Sequence, residues 1–145
     1  MDVINLINTL KQKDGWNCGE PADEATVDSY QLALKVGFPP EYKTLLRAFG
    51  YIRWSGQYIA GICSNRTKYD VIFRTQTSKA NKYHGAKFPA YGLSIQQYGG
   101  GGDYVLFGSQ SEREGEVALF IIEEGYEEVQ SWPSLTAYIQ SRLHT

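Results

Sequence analysis

Apolar residues recur at Val3, Leu6, Ile7 and Leu10, the spacing of one face of a helix. Asp2 stands where an N-cap is needed and Gly15 where the chain must leave the helix. A second helix is predicted from about Asp23 to Val36, with Val27, Tyr30 and Leu34 as its buried stripe and Gly37 placed to cap its end. Pro39-Pro40-Glu41 opens a third, because proline suits the first turn and a carboxylate there meets the positive end of the helix dipole. Tyr42, Leu45, Leu46 and Phe49 form its apolar face and Gly50 ends it.

Beyond Gly50 the period changes from helical to alternating. Tyr51 to Trp54 and Gln57 to Ile62 are short, aromatic and β-branched, and Ser55-Gly56 between them reads as a hairpin turn. Residues 69–77 read either way: Tyr69, Val71, Phe73 and Thr75 alternate as in a strand, yet the preceding polar residues also suit a helix start. Tyr91, Leu93 and Ile95 alternate again before the glycine run Gly99 to Gly102. Tyr104 to Phe107 and Val117 to Ile122 read as two more strands, joined by a polar loop. A last helix, capped near Ser131 or Ser134, carries Leu135, Tyr138, Ile139 and Leu143. Helices, then strands, then a helix predict an α+β fold: a mostly antiparallel sheet of about four to six strands packed against N-terminal helices and a closing C-terminal helix. No repeat or linker divides residues 1–145, so one domain is expected.

Composition changes this picture in one respect: aromatics reach 14%, with 11 tyrosines. Most belong to the core, whereas Trp54, Tyr58, Tyr98 and Tyr126 fall near turns or strand ends, where such side chains act as interface anchors. The net charge of −2 conceals a segregation. Residues 41–102 hold nine bases against two acids, and residues 103–128 hold eight acids against one base. The acids Asp103, Glu112, Glu114, Glu116, Glu123, Glu124, Glu127 and Glu128 are therefore the candidate contact residues for a basic partner, drawn in by complementary potential. The basic stretch Arg66, Lys68, Arg74, Lys79, Lys82 and Lys87, with tyrosines among it, has the ingredients of a nucleic-acid binder. The neighbouring acids would repel the same polyanion, so nucleic acid is not the expected partner.

Little else in the chain points to chemistry. No nucleophile elbow, zinc-protease helix or Walker loop occurs. The glycine run lacks a following lysine and helix, so it reads as a turn rather than a phosphate cradle. Cys18, Cys63, His84 and His144 are too few and too scattered for a structural zinc site, and Cys63 with His84 lacks a third orienting group. No metal, cofactor or catalytic residue is expected. No apolar run approaches a membrane span and the N-terminus has no secretion-signal pattern, which together predict a cytoplasmic protein without membrane contact.

The segment Gly37-Phe38-Pro39-Pro40-Glu41-Tyr42-Lys43-Thr44-Leu45-Leu46 resembles the proline-led helix entry of the SUKH superfamily, which includes bacterial immunity proteins and a fungal cell-wall-assembly regulator. Phe88 to Ile95, the run Gly99 to Asp103, and Tyr104 to Phe107 resemble that family's paired strands around a Gly–Asp turn. Val117 to Phe120 is similar to its next strand and Trp132 to Ile139 to its closing helix. The chain departs from the pattern at Gly50-Tyr51-Ile52, where many members carry Asn–Gly, and at residues 69–77, which are richer in β-formers than the helix the family places there. The resemblance implies a non-enzymatic binder that neutralises a cognate protein toxin, frequently a nuclease, by occlusion. It supplies no catalytic residues. An intracellular scaffold or regulator acting through its aromatics is the alternative.

Overall fold

The computed structural model describes residues 2–65, 67–98 and 101–143. Arg66 of the basic stretch, Gly99 and Gly100 of the glycine run, and His144 lie outside them. The element order is α1 (Val3–Leu10), β1 (Asn17–Cys18), α2 (Glu24–Leu34), α3 (Pro40–Phe49), β2 (Ile52–Trp54), β3 (Gln57–Ile59), α4 (Val71–Ala80), β4 (Gly92–Tyr98), β5 (Gly102–Phe107), β6 (Val117–Ile121), β7 (Glu127–Trp132) and α5 (Leu135–Ser141). The α+β layering is as expected, with the strands divided into two antiparallel sheets, β1-β2-β3 and β4-β5-β6-β7.

Local chemistry explains where the helices begin. Asp2, Asp23, Asp70 and Ser134 each accept a hydrogen bond from a backbone N–H of the first turn of α1, α2, α4 and α5. Pro39 and Pro40 start α3 without a side-chain cap. The ambiguous stretch 69–77 resolves as helix because buried Asp70 caps it and the Val71, Ile72, Thr75 and Ser78 side faces inward. β-Branched residues carry only a weak backbone preference, and packing overrides it here. The end of α2 differs from expectation: Lys35, not Gly37, adopts the left-handed conformation (φ 58°). Gly37 instead lies under Ser109, whose Oγ would be 1.9 Å from an added Cβ.

β1 and β7 are additional to the predicted strands. β1 is two residues long, too short for any period to register. β7 is the outer strand of its sheet, and only Trp132 along it is buried, so the inward–outward alternation that marks a strand is missing.

Helices α1, α3 and α5 pack with both sheets around one large core that includes Leu6, Ile7, Leu45, Leu46, Ile59 and Tyr138. The far face of the four-stranded sheet carries a second, smaller cluster of Phe88, Val105, Phe107, Ala118, Phe120 and Tyr126. Along β5, Tyr104 and Leu106 therefore face the large core while Val105 and Phe107 face the small one. A bulge in β4 shifts the register between Ser94 and Gln96. It turns Gln96 onto the same side as Ile95, where its Oε1 accepts from Tyr138 Oη at 2.6 Å. The two sheets meet where the Ala60 N–H donates to the Ile95 carbonyl at 2.7 Å.

Candidate partner-binding surface

The loop from β5 to β6 and the turn from β6 to β7 bring most of the predicted acids to the surface. Glu112 and Glu114 are exposed on the loop, Glu123 and Glu124 on the turn, and Glu127 at the start of β7. Arg113 determines how these pieces sit together. Its Nη1 and Nη2 donate to the two carboxylate oxygens of Glu128 at 2.7 and 2.8 Å, and its Nε donates to Glu116 Oε1 at 3.0 Å. The guanidinium also lies 4.4 Å from the ring centre of Phe107. A bidentate fork of this kind fixes direction as well as distance. It ties the loop bearing Glu112 and Glu114 to β7 at Glu128, which pairs with Phe120 on the small-cluster face, while Glu127, paired with Ile121, stands on the other face. The hydrogen bonds from Arg113 hold the Glu128 carboxyl below the usual glutamate range, against a smaller opposing effect of burial. Glu116 and Glu128 are thus partly neutralised, while Glu112, Glu114, Glu123, Glu124 and Glu127 form no salt bridge among the described residues.

Four of the predicted contact residues lie inside the protein. Trp54 is fully buried in the large core, where its indole N–H points at the Arg142 carbonyl. Tyr58 is buried with its hydroxyl oxygen accepting the Gln97 N–H at 2.9 Å. Asp103 and Tyr126 are buried together on the small-cluster side of the sheet. Proximity to a turn in sequence does not by itself expose a side chain: Trp54, Tyr58 and Asp103 point inward from their strands, and Tyr126 turns inward from the end of the β6–β7 turn. Among these aromatics only Tyr98 stands out from the surface, at 59% exposure.

Asp103 is the centre of a polar network that sequence reading missed. Ser78 and Tyr126 donate their hydroxyl hydrogens to its Oδ2 at 2.7 and 2.8 Å, and Ser94 donates to Oδ1 at 2.6 Å. Arg74, 4% exposed on α4, donates from Nη2 to both serines at 3.3 and 3.2 Å and lies 3.8 Å from Asp103. A buried cation and anion are thereby joined directly and through two hydroxyls, which offsets their loss of water. The phenol of Tyr126 is pushed far above its ordinary value, first by burial and then by the adjacent Asp103 charge. The clue in sequence is Arg74 and Ser78, one turn apart on the inward side of α4. It becomes visible only once residues 71–80 are known to be helical.

The remaining candidates do not assemble into a reaction site. Cys18 and Cys63 are both free and line one cleft of about 430 Å³. His84 is elsewhere, stacked on the ring of Tyr126 at 4.7 Å. Glu123 and Glu124 sit in a turn rather than on a strand. Among the described residues no group of three or more His, Cys, Asp or Glu side chains is placed to hold a metal. No helix of the described residues is long and apolar enough to cross a membrane.

A helix–sheet fold with exposed acids on its β5–β6 loop and β6–β7 turn belongs to the class of α+β modules. Within that class, the family model SUKH_5, described as SMI1-KNR4 cell-wall, matches residues 2–144, and the chain belongs to this family. Comparison with the curated proteins gives no significant match.

Proposed function

We propose that this chain is an immunity protein that binds a cognate bacterial toxin domain, of nuclease type, and neutralises it by occlusion, without catalysis of its own. The observation that carries the reading is the set of exposed acids Glu112, Glu114, Glu123, Glu124 and Glu127, the loop of the first two being held to β7 by the Arg113–Glu128 fork. A nuclease surface that grips phosphates is basic, and such acids complement it and speed encounter. Family membership supports a role of this kind. Binding would take place in the cytoplasm, where such a toxin acts. The family's SMI1-KNR4 description favours a second reading, a regulatory module that binds the cell's own proteins.

A basic nucleic-acid track is the weakest reading. Of the basic stretch, Arg74 is buried against Asp103 and Lys87 donates from Nζ to the Gly125 carbonyl.

The test is co-expression with the variable C-terminal domain of a long coding sequence immediately upstream, where the gene has such a neighbour. Growth is expected to be rescued, and the purified pair to form a 1:1 complex that weakens as salt rises. Replacing Glu112, Glu114, Glu123, Glu124 and Glu127 with lysine should abolish both. Unchanged affinity after that replacement rejects the acidic-surface mechanism, and recovery of only endogenous proteins in a pulldown supports the regulatory reading.

A further inference from the structure

A groove of about 710 Å³ opens on the molecule where the two sheets part company. Ala60, just past the end of β3, is joined to β4 by its backbone bond to Ile95. Farther along, the Tyr58 phenol takes the place of a strand and accepts the Gln97 N–H. Beyond that point no backbone hydrogen bond joins the two sheets among the described residues, and the groove occupies the gap.

Its buried lining includes the polar side chains of Gln57 and Gln96 and the tyrosines Tyr58 and Tyr104. Its rim is exposed and carries Lys68, Gln97, Tyr98 and Gln130. Two cations look into it. Lys68 Nζ lies 5.6 Å from the ring centre of Tyr58. Arg142 donates from Nε to Gln57 Oε1 at 2.7 Å, and its guanidinium is 5.2 Å from the ring centre of Tyr104. No aspartate or glutamate is among the described residues lining the groove, in a chain with 16 acids against 14 bases.

Such a lining selects its occupant. Cations recognise carboxylates by charge-assisted hydrogen bonds, and glutamine amides both donate to and accept from a peptide backbone. Tyr98 adds an aromatic flank of the sort that anchors protein contacts. Single-stranded nucleic acid fits less well, because it needs open ring faces for stacking and a longer run of positive charge. The Tyr58 and Tyr104 rings are buried and already covered by Lys68 and Arg142. We propose that this groove docks an extended acidic segment of a protein partner. The site is distinct from the exposed acids, opposite in charge, and independent of whether the partner is a toxin.

The experiment is a nuclear magnetic resonance titration of the isotopically labelled full chain with a blocked octapeptide of alternating glutamate and glycine. Saturable shifts are expected at Lys68, Gln97 and Tyr98 and at the Gln57 and Gln130 side-chain amides. Lys68→Glu should weaken binding about tenfold or more, and Gln130→Leu should weaken it with no change of charge. Lys82→Glu, at an exposed position outside the groove, should have no effect. No saturable shift at ~5 mM peptide, a range that detects even millimolar affinity, overturns the proposal. So does equal weakening by Lys82→Glu, which would mark unspecific attraction, or tighter binding of octathymidylate in the same groove. None of these outcomes bears on rescue from the toxin.

Discussion

Tyr126 donates its hydroxyl hydrogen to Asp103 Oδ2 at 2.8 Å, in the interior of the domain. The Tyr126 ring is held between His84 at 4.7 Å and Phe120 at 4.9 Å, both nearly parallel to it. Its backbone is left-handed, with φ 61° next to Gly125 at 78°. The turn between β6 and β7 is thereby folded inward at one point, and the acids on either side of that point are left on the surface.

Tyr126→Phe tests this bond with the ring stack intact. Asp103 keeps the hydrogen bonds from Ser78 and Ser94. The loss should therefore be that of one hydrogen bond to a buried charge, about 1.5–3 kcal/mol. Urea unfolding measures it, and an unchanged midpoint would show that the hydroxyl contributes nothing. Binding of the proposed toxin partner should be unaffected, because the removed atom never reaches the surface.

Asp103→Ala should cost more, about 3–5 kcal/mol, because it leaves the Arg74 guanidinium buried without its counter-charge. The double replacement Asp103→Ala with Arg74→Met removes both charges and should recover part of that loss. A double-mutant cycle decides the matter: strictly additive losses would mean that the two side chains are not coupled.

Periodicity made most of the fold legible. The buried stripes of α1, α2, α3 and α5 are the residues their spacing marks, such as Leu45, Leu46 and Phe49 on α3, except that Leu143 falls past the end of α5 and is half-buried. β7 escaped because an edge strand of exposed residues has no alternation to read. For the binding surface, the acids could be read as a group, but their availability could not. Whether Glu128 is free depends on Arg113, 15 residues earlier in the chain, and whether Asp103 is exposed depends on a helix whose identity was ambiguous. Charge is written in the sequence, while burial and pairing arise from the fold. The groove between the sheets was beyond sequence reading altogether, because its lining comes from strands, a loop and the end of α5.

Gly61 marks the closest backbone approach near the junction of the helices and the first sheet. Its N–H donates to the Tyr69 carbonyl at 2.8 Å and its carbonyl accepts the Val71 N–H at 2.7 Å. An added Cβ would lie 1.9 Å from the Gly50 carbonyl oxygen and 2.6 Å from Leu46 Cδ2. Gly61→Ala must push one main chain off another and should cost about 1–3 kcal/mol. Thermal unfolding reads the loss directly. Gly56→Ala has open space around its Cβ and meets only the strain of φ 76°, so it should cost less, and the reverse ranking would contradict the packing argument.

The Arg113–Glu128 fork makes stability depend on pH in a defined direction. Because Arg113 lowers the Glu128 pKa in the folded protein, the fork's contribution is complete at pH values above the unfolded value, near 4.5. It is lost as pH falls through the folded value, which lies below that. Both side chains are about one-third exposed, at 35% and 33%, so solvent screening limits the contribution to roughly 0.3–1 kcal/mol. For a domain of this size, Glu128→Gln should therefore lower the melting temperature at pH 7 by about 1–4 °C. The gap between variant and wild type should close as pH is lowered toward 2, where both carry an uncharged side chain at this position. A gap that stays constant from pH 7 to 2 would mean that Glu128 acts through its shape rather than its charge. In that case the β5–β6 loop would be held by the contact of Arg113 with Phe107 rather than by the ion pair.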